Sequence, residues 1–323
     1  RVSTFYNSVD AQVAGTADAD NLAVALQGNA RIGANVKVSD ELSGRFEYGS
    51  SAGNANIRLL YGEWNFGAGT FLVGQDYTPI RLPYSNSVYG TDNAMGGNGE
   101  LGSPRAGQLK LRFGGFQIAA VAPDTGYTQA AAQTVEVKLP QLAAKYIYTG
   151  ENFSASVLGG YSTFEVNNES VNSWTVGVGA KGTFGAFTLA GQIHGGVNVG
   201  NLTGTSTAGA ANAATGGAVT NGYANVTTAG AITTVQDTDA FGYSIVGGYT
   251  VNDMFGLEAG FGYQETELDI PGTVTNEVNV YYLQAPITMA PGVFIVPEIG
   301  VVDYKEAAET KTTYVGAKWQ INF

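Results

Sequence analysis

Residues 255–264 read Phe-Gly-Leu-Glu-Ala-Gly-Phe-Gly-Tyr-Gln, and their side chains alternate between two kinds. The odd-numbered positions carry Phe, Leu, Ala, Phe and Tyr, whereas the even-numbered positions carry only Gly, Glu or Gln. Successive side chains of a β-strand point to opposite faces, so this pattern predicts a strand with one apolar and one polar face. A run of about ten residues also has the length of a tilted strand that crosses a bilayer.

The alternation recurs along the chain and ends with residues 313–323, Thr-Tyr-Val-Gly-Ala-Lys-Trp-Gln-Ile-Asn-Phe. Tight breaks, such as 67–69 and 114–115, alternate with longer polar connections. Seven short and eight long connections separate the alternating segments. We therefore predict an all-β fold in which a single domain, residues 1–323, forms a 16-stranded antiparallel transmembrane β-barrel.

The composition excludes several other classes of protein. The 323 residues include 46 Gly and no Cys, so neither a disulfide scaffold nor a thiolate metal site is available. Acidic residues outnumber basic ones by 27 to 15, and the net charge of −12 argues against a nucleic-acid partner. No uninterrupted apolar run reaches the ~18 residues that a membrane-spanning helix needs.

The chain resembles the general diffusion porins of Gram-negative outer membranes. The resemblance rests on the predicted number of strands, on the alternation of short turns and long loops, and on a last strand that ends in Phe323. The resemblance implies a homotrimer of water-filled barrels that contact the lipid bilayer and lipopolysaccharide, with short periplasmic turns and long external loops. It implies that the third long loop, here residues 77–107, folds inward as the constriction loop. It also implies that Phe323 is an assembly signal, and that no cofactor is bound.

Charged residues mark a candidate pore constriction. All seven arginines lie within the first 112 residues, and parity directs Arg31 away from the apolar side that carries Ile32. By the same parity, Arg45 and Glu47 lie opposite Phe46, and Lys110 lies opposite Leu109. Parity at Arg58 is ambiguous, because Leu59 and Leu60 follow it. The predicted basic wall consists of Arg31, Arg45, Arg58, Lys110 and Arg112.

Carboxylates near the third loop are predicted to face this wall: Asp76 just before the loop, and Asp92 and Glu100 within it. Fixed cations opposite fixed carboxylates across a narrow wet gap create a transverse field, which the porins that this chain resembles use at their constriction. The alternative is ordinary lumenal charge that keeps the pore wet. Arg81 and Arg105 flank the loop and are candidates for anchoring it to the wall.

Two further segments attract attention. Residues 195–237 are predicted to form a long external loop that carries no charged residue before Asp237. This uncharged loop either covers the pore mouth, forms a contact surface or is a tolerated surface insertion. The carboxylates Glu265, Glu267 and Asp269 are a weak candidate for a divalent-cation site, with a solvated acidic rim as the alternative. No other metal site is predicted.

The sequence therefore predicts an outer-membrane channel for passive diffusion of small hydrophilic solutes and ions, and not an enzyme. One alternative is a substrate-selective channel for a sugar or an anion. A second is a barrel enzyme, for which His194, the only histidine, is the sole candidate catalytic residue. A third is a structural or adhesive outer-membrane protein, suggested by the long uncharged loop.

Overall fold

The computed structural model describes residues 1–11, 17–51, 54–92, 94–102, 104–123, 125, 134–204, 222–229, 232–272, 275–305 and 310–323. The strands in these ranges are β1 (Val2–Ala11), β2 (Ala19–Leu26), β3 (Arg31–Lys37), β4 (Leu42–Ser51), β5 (Asn54–Asn65), β6 (Thr70–Tyr77), β7 (Arg105–Phe113), β8 (Phe116–Val121), β9 (Val135–Glu136), β10 (Gln141–Thr149), β11 (Phe153–Val166), β12 (Glu169–Phe184), β13 (Phe187–Val197), β14 (Asn225–Ala229), β15 (Ile232–Gln236), β16 (Thr238–Thr250), β17 (Gly256–Leu268), β18 (Asn276–Gln284), β19 (Ile287–Ala290), β20 (Val293–Tyr304) and β21 (Thr310–Ile321). Two four-residue helical turns, α1 (Tyr89–Asp92) and α2 (Gly200–Thr203), lie in connections between strands. No helix of the described part has both the length and the apolar character needed to span a membrane.

Most strands belong to one 19-stranded antiparallel sheet, and β14 pairs with β15 in a separate hairpin. The first strand, β1, pairs with both β2 and the last strand, β21. The predicted all-β antiparallel architecture is thus confirmed. The strand segments outnumber the sixteen expected, partly because residues 27–30 separate β2 from β3 and because Pro286, which lacks an amide hydrogen, lies between β18 and β19.

The sheet exposes apolar side chains on one face and buries polar ones on the other. Three consecutive residues of β7 illustrate this: Leu109 is 51% exposed, whereas its neighbours Gln108 and Lys110 are 5% and 3% exposed. This is the reverse of a water-soluble protein, whose charged residues are seldom buried. It is typical of a barrel wall that faces lipid outside and a polar lumen inside.

A β-bulge determines the direction of the Arg58 side chain. Glu47 pairs with Leu59 and Tyr48 pairs with Ile57, so Arg58 has no residue opposite it in β4. As a result, Arg58 and Leu59 are both buried although they are adjacent in one strand. An inserted residue bends a strand and redirects its side chains. The ambiguous parity at Arg58 therefore has a physical cause.

The connection between β6 and β7, residues 78–104, packs against the polar face of the sheet. Its Ile80 and Met95 are almost completely buried. Two wall glycines make room for the loop: a Cβ atom on Gly160 would meet the end of the Ile80 side chain, and one on Gly262 would collide with the backbone oxygen of Asn98. The lack of a side chain at these positions therefore lets the loop approach the wall closely.

Candidate pore constriction

A cavity of about 1140 Å³ lies beside this loop and is lined by residues of the loop, of β2 to β7 and of β21. Its charged lining residues are Arg1, Arg31, Arg58, Arg81, Arg105, Lys318, Asp92 and Glu100. Cations thus outnumber carboxylates at the cavity, although the chain as a whole carries a net charge of −12. The summed charge of the lining residues thus has the opposite sign to the net charge of the protein.

Three arginines of the predicted basic wall converge on one carboxylate, Glu47. Arg58 Nε and Arg31 Nη1 donate to Glu47 Oε1 at 2.7 and 3.2 Å, and Arg45 Nη2 donates to Oε2 at 3.0 Å. Glu47 is only 5% exposed. Parity placed Glu47 beside Arg45, but the convergence of three strands on this carboxylate follows from the sheet register.

Three members of the predicted basic wall, Arg45, Lys110 and Arg112, are not among the residues that line the cavity. Lys110 Nζ donates to Asp76 Oδ2 at 2.5 Å, and Arg112 forms an ion pair with Glu63. Asp76, predicted on the acidic loop side, belongs to β6 and lies in the same wall as Lys110. The reason is that β6 and β7 are hydrogen-bonded neighbours, which brings the two side chains together.

Asp92 is the loop carboxylate that reaches the wall. Its Oδ2 accepts hydrogen bonds from Arg1 Nη1 at 2.8 Å and Asn29 Nδ2 at 2.7 Å, and its Oδ1 accepts one from Lys318 Nζ at 3.1 Å. Asp92 adopts a left-handed backbone with φ of 62°, which small polar side chains tolerate better than most. Lys318 was missed as a site residue, although its parity in the last strand already directed it away from Trp319.

Glu100 is buried inside the loop and does not extend across a gap. Its Oε1 accepts hydrogen bonds from the amides of Tyr84 at 2.9 Å and Ser85 at 2.7 Å. Burial raises the pKa of the Glu100 carboxyl to about 7. The structure therefore gives this residue a part in shaping the loop, whereas the sequence predicted a charge facing the basic wall.

Two wall carboxylates that sequence reasoning missed hold the loop from the opposite side. Glu298 of β20 accepts hydrogen bonds from the Val88 amide at 2.6 Å and the Ser87 hydroxyl at 2.7 Å. Glu258 of β17 accepts bonds from the backbone and side-chain nitrogens of Asn86 at 2.9 and 2.6 Å. Both lie on the polar face of their strands, so parity was the available signal.

Arg81 and Arg105 both contact Tyr77. The guanidinium carbon of Arg81 lies 4.0 Å from the centroid of the Tyr77 ring, and that of Arg105 lies 5.3 Å from it. The anchoring role suggested for the two arginines stays a prediction. Among the described residues, the side-chain hydrogen bond of Arg105 goes to the Tyr77 hydroxyl, whereas the Arg81 backbone oxygen accepts one from Lys145 of β10 at 2.7 Å.

Within the described part of the chain, the remaining candidates form no second site. No group of three or more potential metal ligands occurs among the described residues, which leaves Glu265, Glu267 and Asp269 without a metal-binding arrangement. His194 is buried, and its Nε2 pairs with Gln264 Oε1 at 3.1 Å, not with a serine or a carboxylate.

Two other predicted features are the external loop, residues 195–237, and the assembly signal Phe323. Within 195–237, the described part contains the end of β13, the turn α2 and the β14–β15 hairpin, while residues 205–221 and 230–231 lie outside the described ranges. Phe323 follows β21 and is fully exposed. Its role in assembly stays a prediction.

An antiparallel sheet with an apolar outer face, a polar inner face and an inward-packed loop is the fold of outer-membrane porins and channels. No family model and no curated protein matches the chain. Among solved structures, it is similar to the outer membrane channel DcaP of Acinetobacter baumannii, with 16% identity and a TM-score of 0.73 over 100% of this chain and 96% of that one. It is also similar to the anion-selective porin of Comamonas acidovorans (12%, TM-score 0.62, 99% and 97% coverage) and to the trimer form of OmpT, an outer membrane protein of Vibrio cholerae (15%, TM-score 0.54, 99% and 97%). At these identities the likeness concerns the fold.

Proposed function

We propose that the sheet is the wall of a closed 16-stranded barrel. The pairing of β1 with both β2 and β21 supports closure. Hydrogen bonds from the Gln27 amide to Arg1 and from the Ser50 amide to Ala30 continue the ladders across the gap between β2 and β3, so these two segments act as one strand. In the same way, β18 and β19 both pair with β20. An even number of antiparallel strands lets the last strand pair with the first.

The barrel is proposed to be an outer-membrane channel for passive diffusion of small hydrophilic solutes and ions. The observation that carries this proposal is the cavity of about 1140 Å³ with a charged lining inside an apolar-faced sheet. Side chains that are charged and polar keep such an interior wet, whereas a lipid-facing surface must be apolar. The chain contacts the lipid bilayer and lipopolysaccharide in this proposal, and it forms a homotrimer, as the Vibrio cholerae protein of similar fold does in its trimer form.

The excess of arginine and lysine at the cavity favours anions over cations. Arg31, Arg45, Arg58, Arg81 and Arg105 all lie on or near its lining, and Glu47 neutralises only part of their charge. In a pore whose width is comparable with the ~8 Å Debye length of physiological salt, such charges act on every ion that passes. We therefore propose that the channel prefers anions to cations, which is a more specific form of the same function.

Planar-bilayer recording tests the proposal. The refolded protein should insert stepwise and conduct ohmically in KCl. In a KCl gradient, the sign of its reversal potential should indicate a preference for chloride over potassium. Cross-linking in detergent should yield a trimer. A correctly folded protein that never conducts would overturn the channel, and a barrel enzyme or an adhesive protein would then need to be considered.

A further inference from the structure

Arg81 and Arg105 differ from the other five arginines of the chain in their ionic partners. Arg1 pairs with Asp92, Arg112 pairs with Glu63, and the remaining three pair with Glu47. Neither Arg81 nor Arg105 forms an ion pair with a carboxylate among the described residues. The two unpaired arginines are also the two whose guanidinium groups lie over the ring of Tyr77.

The side chain of Arg81 retains its hydrogen-bonding capacity. Its guanidinium lies over the face of the Tyr77 ring, a cation–π contact that uses none of its N–H groups. The Arg81 Nε is buried and has no hydrogen-bond partner among the described residues. Burial also lowers the pKa of the Arg81 guanidinium, because removal from water disfavours the charged form.

The hydroxyl group of Tyr77 supplies a further donor. Arg58 Nη2 and Arg105 Nη1 each donate a hydrogen bond to this oxygen at 3.2 Å. An arginine can only donate, so the phenolic oxygen is the acceptor in both bonds and its own hydrogen is left over. In the described part of the chain this O–H group donates to no protein acceptor.

The side chains of Arg58, Tyr77, Arg81 and Arg105 all line the same cavity of about 1140 Å³. The geometry points to a binding site for a small oxyanion, a carboxylate or phosphate group, held by Arg81 and Arg105 with the Tyr77 hydroxyl as a third donor. Arginine matches such groups because its planar donors meet two oxygens at once. The inference rests on the proposed channel function and deepens it, because it makes the pore a saturable site for anions in addition to a charged passage.

Benzoate and inorganic phosphate are the two probes. Uncharged benzamide is the control, because it keeps the phenyl ring of benzoate and lacks the carboxylate. Added to a single channel in KCl, benzoate or phosphate should interrupt the current in a concentration-dependent, saturable manner, whereas benzamide should not. Block by benzoate alone assigns the site to carboxylates, and block by phosphate alone assigns it to phosphates. Calorimetric titration of the folded protein in detergent measures the same affinities without requiring conduction.

The variants Arg81→Gln and Arg105→Gln should each weaken binding about tenfold, since each removes a charge-assisted hydrogen bond. Tyr77→Phe keeps the ring under Arg81 and removes only the hydroxyl, so it covers the case in which an arginine variant fails to fold. Lys37→Gln removes a positive charge at an exposed turn, where Lys37 pairs with Asp40, and should leave binding unchanged.

Two results would overturn the site while the channel function stands. One is a normal chloride current that neither anion blocks, and the other is calorimetric binding that the Tyr77 and arginine variants leave unaltered. Absence of any channel would overturn the channel function instead, and calorimetry would then decide the site by itself.

Discussion

Replacing Glu298 with Ala is expected to release the third loop from the barrel wall. Glu298 is 3% exposed and accepts hydrogen bonds from Val88, Ser87 and, at a longer 3.4 Å, Tyr89 of the loop. It also accepts one from Tyr314 of β21. A hydrogen bond to a charged group contributes about 1.5–3 kcal/mol. With the lower figure for the two shorter loop bonds alone, the docked loop loses about 3 kcal/mol, and the ratio of docked to undocked loops falls by about 150-fold.

Two measurements report the released loop. Single channels of the Glu298→Ala variant should show frequent current fluctuations that the unaltered protein lacks, because a mobile segment intermittently occupies the lumen. Protease should also cut residues 78–104 faster in detergent-folded protein, since cleavage follows the population of the open form. Glu267→Ala is the matched control, because the Glu267 carboxylate lies on the same sheet but bonds Thr275 and not the loop.

The barrel itself should remain folded in this variant. Heat-resistant mobility on a gel tests this before either measurement is made. The β20–β21 ladder does not depend on this side chain, since it is built from backbone hydrogen bonds. A folded Glu298→Ala protein with quiet channels and unchanged cleavage would show that the hydrogen bonds to Glu298 do not hold the loop.

Three further predictions concern charge, pH and assembly. The double variant Arg31→Gln/Arg45→Gln removes two positive charges beside the cavity and should move the reversal potential toward cation preference; a shift in the other direction would contradict the proposed field. Because the pKa of Glu100 is raised to about 7, its contribution to loop stability is complete below the usual carboxyl pKa and is lost as pH rises through 7. Proteolysis of the loop should therefore accelerate between pH 5 and about 8 and be independent of pH in Glu100→Gln. An acceleration that persists in the variant would assign the effect to another group. Removing Phe323 should reduce the amount inserted in cells while refolding in detergent stays nearly normal, and equal failure of both routes would mean a structural role.

Period-2 alternation determined much of this protein in advance. It identified the strands and assigned Leu109 to the lipid side and Lys110 to the polar side, because side-chain direction in a strand depends only on position along the chain. It also directed Arg31, Arg45 and Glu47 to one face. The face of the sheet on which these polar side chains lie was therefore readable from sequence.

Parity could not determine which polar side chains meet. The bulge that turns Arg58 inward depends on the register between β4 and β5, and the pairing of Lys110 with Asp76 depends on β6 lying beside β7. Both are properties of neighbouring strands and have no signature in either strand alone.

Contacts across the lumen were the least accessible to sequence reasoning. Glu258 and Glu298 hold a loop that lies more than 150 residues away in the chain, and Glu100 folds into that loop instead of facing the wall. Such contacts arise only once the sheet has brought distant strands around the loop, and glycines such as Gly160 and Gly262 have made space for it. The alternation of the sequence therefore determines the wall, whereas the tertiary structure decides where the loop rests and which charges it leaves unpaired, because strand parity is local and packing across a lumen is not.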